Sequence, residues 1–349
     1  MAGDMAVTKR RMQQEGRGRD AAHPGRIPMR GWKDIFWRVF NEIMADRVML
    51  VAAGVTFYLL LALFPALAAF VSLYGFFADP ATIAEHIAYL AALLPAGGLD
   101  LISQQLDELI EQDSDSLSFG FLIGFAIAFW SANNGVKALF EALNIAYEEA
   151  EKRGIVALNL LSFGFTLIGM LVGIVLVALV GVLPAVAAFL NLEGITDILV
   201  RVFRWPLTFL FIAAVVTLIY RYAPSRERAK WRWITWGGLL ATAVWILASL
   251  GFSFYLQNIA DYNATYGSLG AVVGFMVWIW ISVLILLVGA ELNAEMEHQT
   301  GHDSTAGAPK PIGERGAVVA DTLGESRVEA ERGEAPADPA RDGPQRGDA

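Results

Sequence analysis

Residues 268–290 read SLGAVVGFMVWIWISVLILLVGA, an unbroken run without one charged side chain. A helix rises about 1.5 Å per residue, so a run of this length crosses the ~30 Å hydrocarbon core of a bilayer. No water is available there to partner backbone amides and carbonyls. A helix, which satisfies them internally, is therefore the structure such a run must take. The run ends abruptly, and Glu291, Asn293 and Glu295 follow within five positions.

Working outward, comparable apolar segments lie at about 48–77, 117–136, 155–190, 202–222 and 233–256. The segment at 155–190 is longer than one crossing needs, and Pro184 within it predicts a bend with a helical continuation outside the hydrocarbon. The whole chain is 56% hydrophobic and 17% charged, with a mean hydropathy of +0.49. Soluble domains carry about 25% charged residues. The expected fold is all-α: a polytopic membrane helix bundle of about six transmembrane helices.

The basic residues set the orientation. Of the 26 lysines and arginines, 24 fall before the first segment, in the second and fourth connections, or after the last segment. The stretch 78–116 has none, against 8 acidic residues. Cytoplasmic flanks are enriched in Lys and Arg, so both termini are expected in the cytoplasm of a bacterial plasma (inner) membrane protein. The N-terminus has basic residues with no apolar run directly behind them, so no cleaved signal peptide is expected.

Residues 1–29 and 298–349 are polar and poor in large apolar side chains, and are expected to be disordered cytoplasmic ends around a membrane domain at 30–297. Residues 31–46 form an amphipathic pattern. Trp32, Ile35, Phe36, Val39, Phe40, Ile43 and Met44 make one stripe, and Lys33, Asp34, Arg38, Asn41 and Glu42 make the other. Such a helix lies in the membrane interface or docks on the protein's own cytoplasmic side. Residues 80–116 carry two short amphipathic patterns split by Pro95-Ala-Gly-Gly and are expected to form a small extracytoplasmic helical cap. Glycine pairs at Gly120/Gly124, Gly169/Gly173 and Gly270/Gly274 permit close helix contact and are read as internal packing. Pro65, in the middle of the first segment, is expected to kink it.

Enzyme chemistry finds no foothold. There is no cysteine, no GxxxxGK[ST] phosphate loop, no GxSxG elbow and no dinucleotide fingerprint. The four histidines, His23, His86, His298 and His302, form no HxH or HExxH pattern, so no metal, cofactor or catalytic residue is assigned. Nor is a basic patch interleaved with stacking aromatics present for nucleic acid. What remains is polarity inside the apolar segments. Asn133, Asn134, Lys137 and Glu141 close the second segment, Arg221 the fourth, and Glu291 and Asn293 the sixth. A charge at the bilayer centre costs about 2.5–3.5 kcal/mol on insertion scales, so such residues mark a pathway or gate, or else interhelical hydrogen bonds and snorkelling at the interface.

The runs AAGVTFYLLLALFPALAAFVSLYGFF, WSANNGVKALFEALNIAY, YRYAPSR and YGSLGAVVGFMVWIWISVLILLVGAELNAE together resemble the YihY/BrkB family of bacterial inner-membrane proteins, over about residues 30–297. The resemblance implies a six-helix plasma-membrane protein. Members were formerly labelled ribonuclease BN, a label the missing metal motif argues against, and others are linked to serum resistance or lipopolysaccharide export. It implies importance for Tyr58, Pro65, Asn133, Asn134, Glu141, Pro224, Tyr266, Gly267, Gly270, Glu291 and Asn293, with no defined role for any.

The leading expectation is therefore a transporter or flippase for a lipid or amphiphilic envelope component, with membrane lipids as its surroundings and no nucleic-acid partner. A homo-oligomer stays open. The alternative is a non-catalytic membrane scaffold for envelope machinery. The topology has a direct check. Reporter fusions at Asp107 and at Arg226 are expected to score on opposite faces of the membrane, and a common face for the two would overturn the six-span reading.

Overall fold

The computed structural model describes residues 16–75, 114–177, 195–259 and 269–331. It is all-helical, with no strand among the described residues. After a single 3-10 turn at Pro24–Arg26 come α1 (Met29–Ala45), α2 (Val48–Gly75), α3 (Ser114–Ala146), α4 (Ile155–Val177), α5 (Ile195–Tyr222), α6 (Trp231–Asn258) and α7 (Gly270–His298). Two short helices follow, α8 (Val318–Asp321) and α9 (Arg327–Glu331).

Four helices are individually long and apolar enough to cross a membrane: Ile155–Leu176, Trp205–Tyr222, Trp231–Asn258 and Val272–His298. Met29–Ala45 and Val48–Ala62 meet the same test together, with a 59° bend between them. The bend sits where Arg47 takes a left-handed φ of 51°, which a right-handed helix cannot continue through. The large apolar side chains face outward. Leu160, Leu167, Leu171, Ile174, Leu247 and Leu250 are all exposed, the arrangement that lipid favours and water penalises. Hydroxyls inside these helices turn back on their own backbone. Thr166 donates to Ser162 O at 2.8 Å, Thr217 to Ala213 O at 2.7 Å and Thr242 to Gly238 O at 2.8 Å.

α7 is the hub. It packs against α6, α2, α1 and α3, while α2 lies along α3 and α5 along α6. The closest approach is made by small residues. A Cβ on Gly289 would lie 2.8 Å from Ala241 Cβ and 2.4 Å from Tyr220 Oη, whose hydroxyl donates to Leu286 O at 2.7 Å. Of the three glycine pairs expected to pack internally, Gly169 and Gly173 meet nothing within 4 Å of an added Cβ among the described residues. Spacing alone cannot tell a seam from an outward face.

The helix that carries the second segment continues past 136 to Ala146, beyond which Glu148 adopts a left-handed φ of 54° and the chain turns back. The ends were expected to be disordered up to 29 and from 298. Instead residues 16–29 and 298–331 are packed together. Gly301 N donates to Arg19 O at 2.8 Å, Thr300 Oγ1 to Ala21 O at 2.7 Å, and Arg315 Nη2 to Gly301 O at 2.6 Å. Val319 and Ala320 are buried, and Thr305 bridges to Ala229. Hydrogen bonds hold these segments more than apolar area does, so their polar composition concealed their order. Residues 1–15 and 332–349, the Pro184 bend and residues 80–113 of the cap expected at 80–116 fall outside the described residues, while 114–116 open α3. The helix is continuous over the position of Pro65.

α1 is amphipathic in a different sense from the expected one. Ile35 and Val39 face α7, yet Asp34 and Arg38 are buried with them, and Phe36, Phe40 and Met44 are exposed. The helix is docked and still presents an apolar stripe outward.

Filling the Gly289 contact tests the hub. Gly289→Val forces α6 and α7 apart and is expected to cost about 1–3 kcal/mol, read as a lower unfolding midpoint in detergent. The same change at Gly169 is expected to leave the midpoint unmoved.

Candidate functional site

Two features stand out: an apolar cavity between the helices, and a buried polar assembly where α7 ends. The cavity, about 340 Å³, is lined by Val55 and Leu59 of α2, Gly135, Val136 and Leu139 of α3, Val216 of α5, Thr242 and Trp245 of α6, and Trp278 and Ser282 of α7. Its few polar groups are internally paired. Trp245 Nε1 donates to Ser282 Oγ at 2.8 Å, and Ser282 Oγ donates to Trp278 O at 2.8 Å.

The polar assembly is built on the last two turns of α7, where Glu291, Asn293, Glu295, Glu297 and His298 are all buried. Buried carboxylates need donors. Arg38 of α1 ion-pairs with Glu295 through Nε, and donates through Nη2 to Glu295 O at 3.1 Å and Gln299 Oε1 at 2.8 Å, and through Nη1 to Glu325 O at 2.8 Å. Arg226, from the α5–α6 connection, grips Glu297 in bidentate fashion at 3.1 and 2.6 Å and stacks over the Tyr147 ring at 5.0 Å. Ser304 Oγ donates to the same carboxylate at 2.5 Å. Beside this, Asn144 Oδ1 accepts from Ser225 N at 2.7 Å, and its amide donates to Glu151 at 3.1 Å. Hydrogen bonds from Arg153 hold the Glu151 carboxyl down at about 2.

The residues singled out from sequence fall into separate surroundings. Asn133 is 1% exposed with its carbonyl oxygen unpartnered, and Asn134 and Lys137 are half-buried. Glu141 is exposed, and neither it nor Lys137 forms an ion pair among the described residues. Asn293 Oδ1 accepts from Gly237 N at 3.0 Å, tying α7 to α6. Arg221 turns away from α7. It donates to Ala229 O and stacks on Trp231 at 4.4 Å, by a second pocket that also holds Lys152, Arg153, Arg226 and Arg228. Glu291 sits beside the Asp46 carboxyl. None of the seven lines the apolar cavity, whose lining includes no Asn, Lys, Arg or Glu.

Sequence reasoning missed Arg38, Asp46, Arg226 and His298. It also assigned no metal ligands, whereas the fold gathers one ligating atom from each of Glu148, Glu295 and His298 within 4.8 Å of one another. Glu291, Glu295 and His298 are spaced i, i+4, i+7 on one helix face. That signal was legible, but it was cut by ending the membrane domain at 297.

The model of the virulence factor BrkB family matches residues 39–312. The chain belongs to that family. Among relatives of this BrkB-family chain, the ribonuclease-like protein YfkH of Bacillus subtilis (strain 168) is 30% identical over 249 residues, 70% of this chain and 88% of its own length. A UPF0761 membrane protein of Rhodospirillum centenum is 28% identical over 307 residues, 85% of this chain and 65% of its own. Another, from Paraburkholderia xenovorans, is 26% identical over 264 residues, 72% of this chain and 57% of its own. This chain thus spans less than two thirds of those two UPF0761 relatives. No solved structure matches it. The BrkB-family chain is an integral membrane protein; the ribonuclease-like name is that of its Bacillus relative.

The Arg226–Glu297 pair, with side chains 3% and 0% exposed, sets a measurable cost. Removing one member leaves a buried charge. Arg226→Leu is expected to destabilise by about 3–5 kcal/mol, and Arg226→Leu with Glu297→Leu by clearly less. Unfolding midpoints of the two variants in detergent check this.

Proposed function

We propose that this protein is a transporter or flippase for a lipid or amphiphilic envelope component, residing in the bacterial inner membrane with six spans and both termini in the cytoplasm. The apolar cavity carries the reading. Five helices, α2, α3, α5, α6 and α7, leave a space of about 340 Å³ between them with an almost wholly apolar lining, suited to an acyl chain. Where the helices end, Arg221, Arg228, Lys152 and Trp231 gather, as a headgroup-facing rim would require. A nuclease reading draws on a relative's name alone, and a scaffold has no use for a cavity inside the bundle.

The experiment is lipid translocation in proteoliposomes containing folded protein. Wild type is expected to move a labelled lipid faster than empty vesicles, and Val136→Trp, which fills the cavity, is expected to slow it about tenfold or more with protein level unchanged. Wild-type vesicles indistinguishable from empty ones would remove the transport reading and leave the scaffold.

A further inference from the structure

The C-terminal end of α7 brings together more carboxyl groups than cations. Glu295, Glu42, Asp46, Glu148 and Glu291 lie within electrostatic reach of one another. Arg38 is the guanidinium paired into this group, and it engages Oε2 of Glu295. Glu291 is 2% exposed, one turn before Glu295, with one carboxyl oxygen that has no hydrogen-bond partner. A buried carboxyl oxygen without a partner is costly, and beside a second carboxyl, that of Asp46, it is met by a shared proton or by a cation.

The hydrogen bonds around His298 say which kind of cation. Thr322 Oγ1 donates its proton to Val318 O at 2.7 Å, so towards His298 Nε2, 2.8 Å away, it can only accept. Nε2 therefore carries a proton, and in the neutral ring Nδ1 presents a lone pair. Nδ1 faces Glu295 Oε1 at 3.3 Å, a contact met either by a proton on Nδ1 or by a metal ion lying against both atoms. This is the pattern of a metal-ligating histidine: one nitrogen donates to an outer partner and so fixes the other as ligand. Arg38 does the same for Glu295, holding one carboxylate oxygen and leaving the other free to ligate. Glu148 completes a set whose ligating atoms lie within 4.8 Å of one another.

We propose that Glu148, Glu295 and His298 bind a divalent first-row metal ion, zinc or manganese, at the polar end of α7. Two carboxylates and one imidazole form a mixed oxygen and nitrogen set, which suits these ions better than calcium or magnesium. The ion would link the turn after α3 to α7. The proposal is independent of the transport reading.

The test uses the full chain, purified in detergent without a histidine tag and stripped with chelator. It is then loaded with ZnCl2 or MnCl2 and desalted, and the retained metal is measured by mass spectrometry. Tryptophan fluorescence follows thermal unfolding. Wild type is expected to retain about one equivalent and to unfold at a higher temperature when loaded. His298→Gln and Glu148→Gln are expected to lose affinity by about tenfold or more, with Glu151→Gln unchanged as the neighbouring control. Glu148→Gly guards against misfolding, because glycine takes the left-handed φ of 54° without strain. That variant is expected to be at least as stable as the stripped wild type and yet not to respond to metal. Retention equal to that of His298→Gln, or an unfolding midpoint that shifts with pH but not with metal, would overturn the proposal in favour of a simple imidazolium–carboxylate pair.

Discussion

Buried charge at the end of α7 is the constraint around which the rest of the structure is arranged. A membrane helix that carries Glu291, Glu295 and Glu297 on its last two turns cannot leave them without donors in a dry interior. Arg38 and Arg226 supply two of those donors, and each comes from a different part of the chain. One brings α1 against α7, and the other brings the α5–α6 connection. Residues after 298 then bond to the same two guanidinium–carboxylate units, through the Glu325 carbonyl and the Ser304 hydroxyl. The polar end is thus assembled by pairing charges, while the helices above it are held by close contact at Gly289 and Ala241 and by threonine hydroxyls folded back on their own backbone.

This division gives the molecule two unlike regions. Between the helices the side chains are apolar and leave a cavity. Below it the groups are ionic, densely bonded and rigid. An amphiphile has the same division within itself. The BrkB-family membership and the membrane character are established by the match over residues 39–312 and by the helices' length and apolarity. The cavity is what turns that membership into a specific idea about what the bundle accommodates.

Much of the helix framework was legible in advance, because each apolar run carries its own instruction to form a helix. The starts of α2 and α4, the separation of α1 from α2 and the long apolar face of α7 follow from runs and periodicity. The polar residues were located but their company was not. Asn133, Glu291 and Asn293 stand at the ends of apolar segments in the sequence, and all three are buried. Arg221 and Glu291, which each close an apolar segment, belong to different surroundings, since a residue's depth along a helix does not say which neighbour it faces. Arg38 was placed on a water-facing side because it is charged, whereas its partner lies 257 positions away.

The sequence by itself determined that this chain is a helical membrane protein, since hydrocarbon admits no other way of satisfying so many consecutive backbone groups without charge. Tertiary structure alone decided which polar residues meet. Ion pairs between α1, α7 and the terminal segments, the order of residues 16–29 and 298–331, and the meeting of Glu148 with His298 all depend on contacts between positions remote in the chain. The physical reason is range. Helix formation in lipid is settled within a few residues of each amide, whereas a buried charge is settled by whichever opposite charge the fold carries to it.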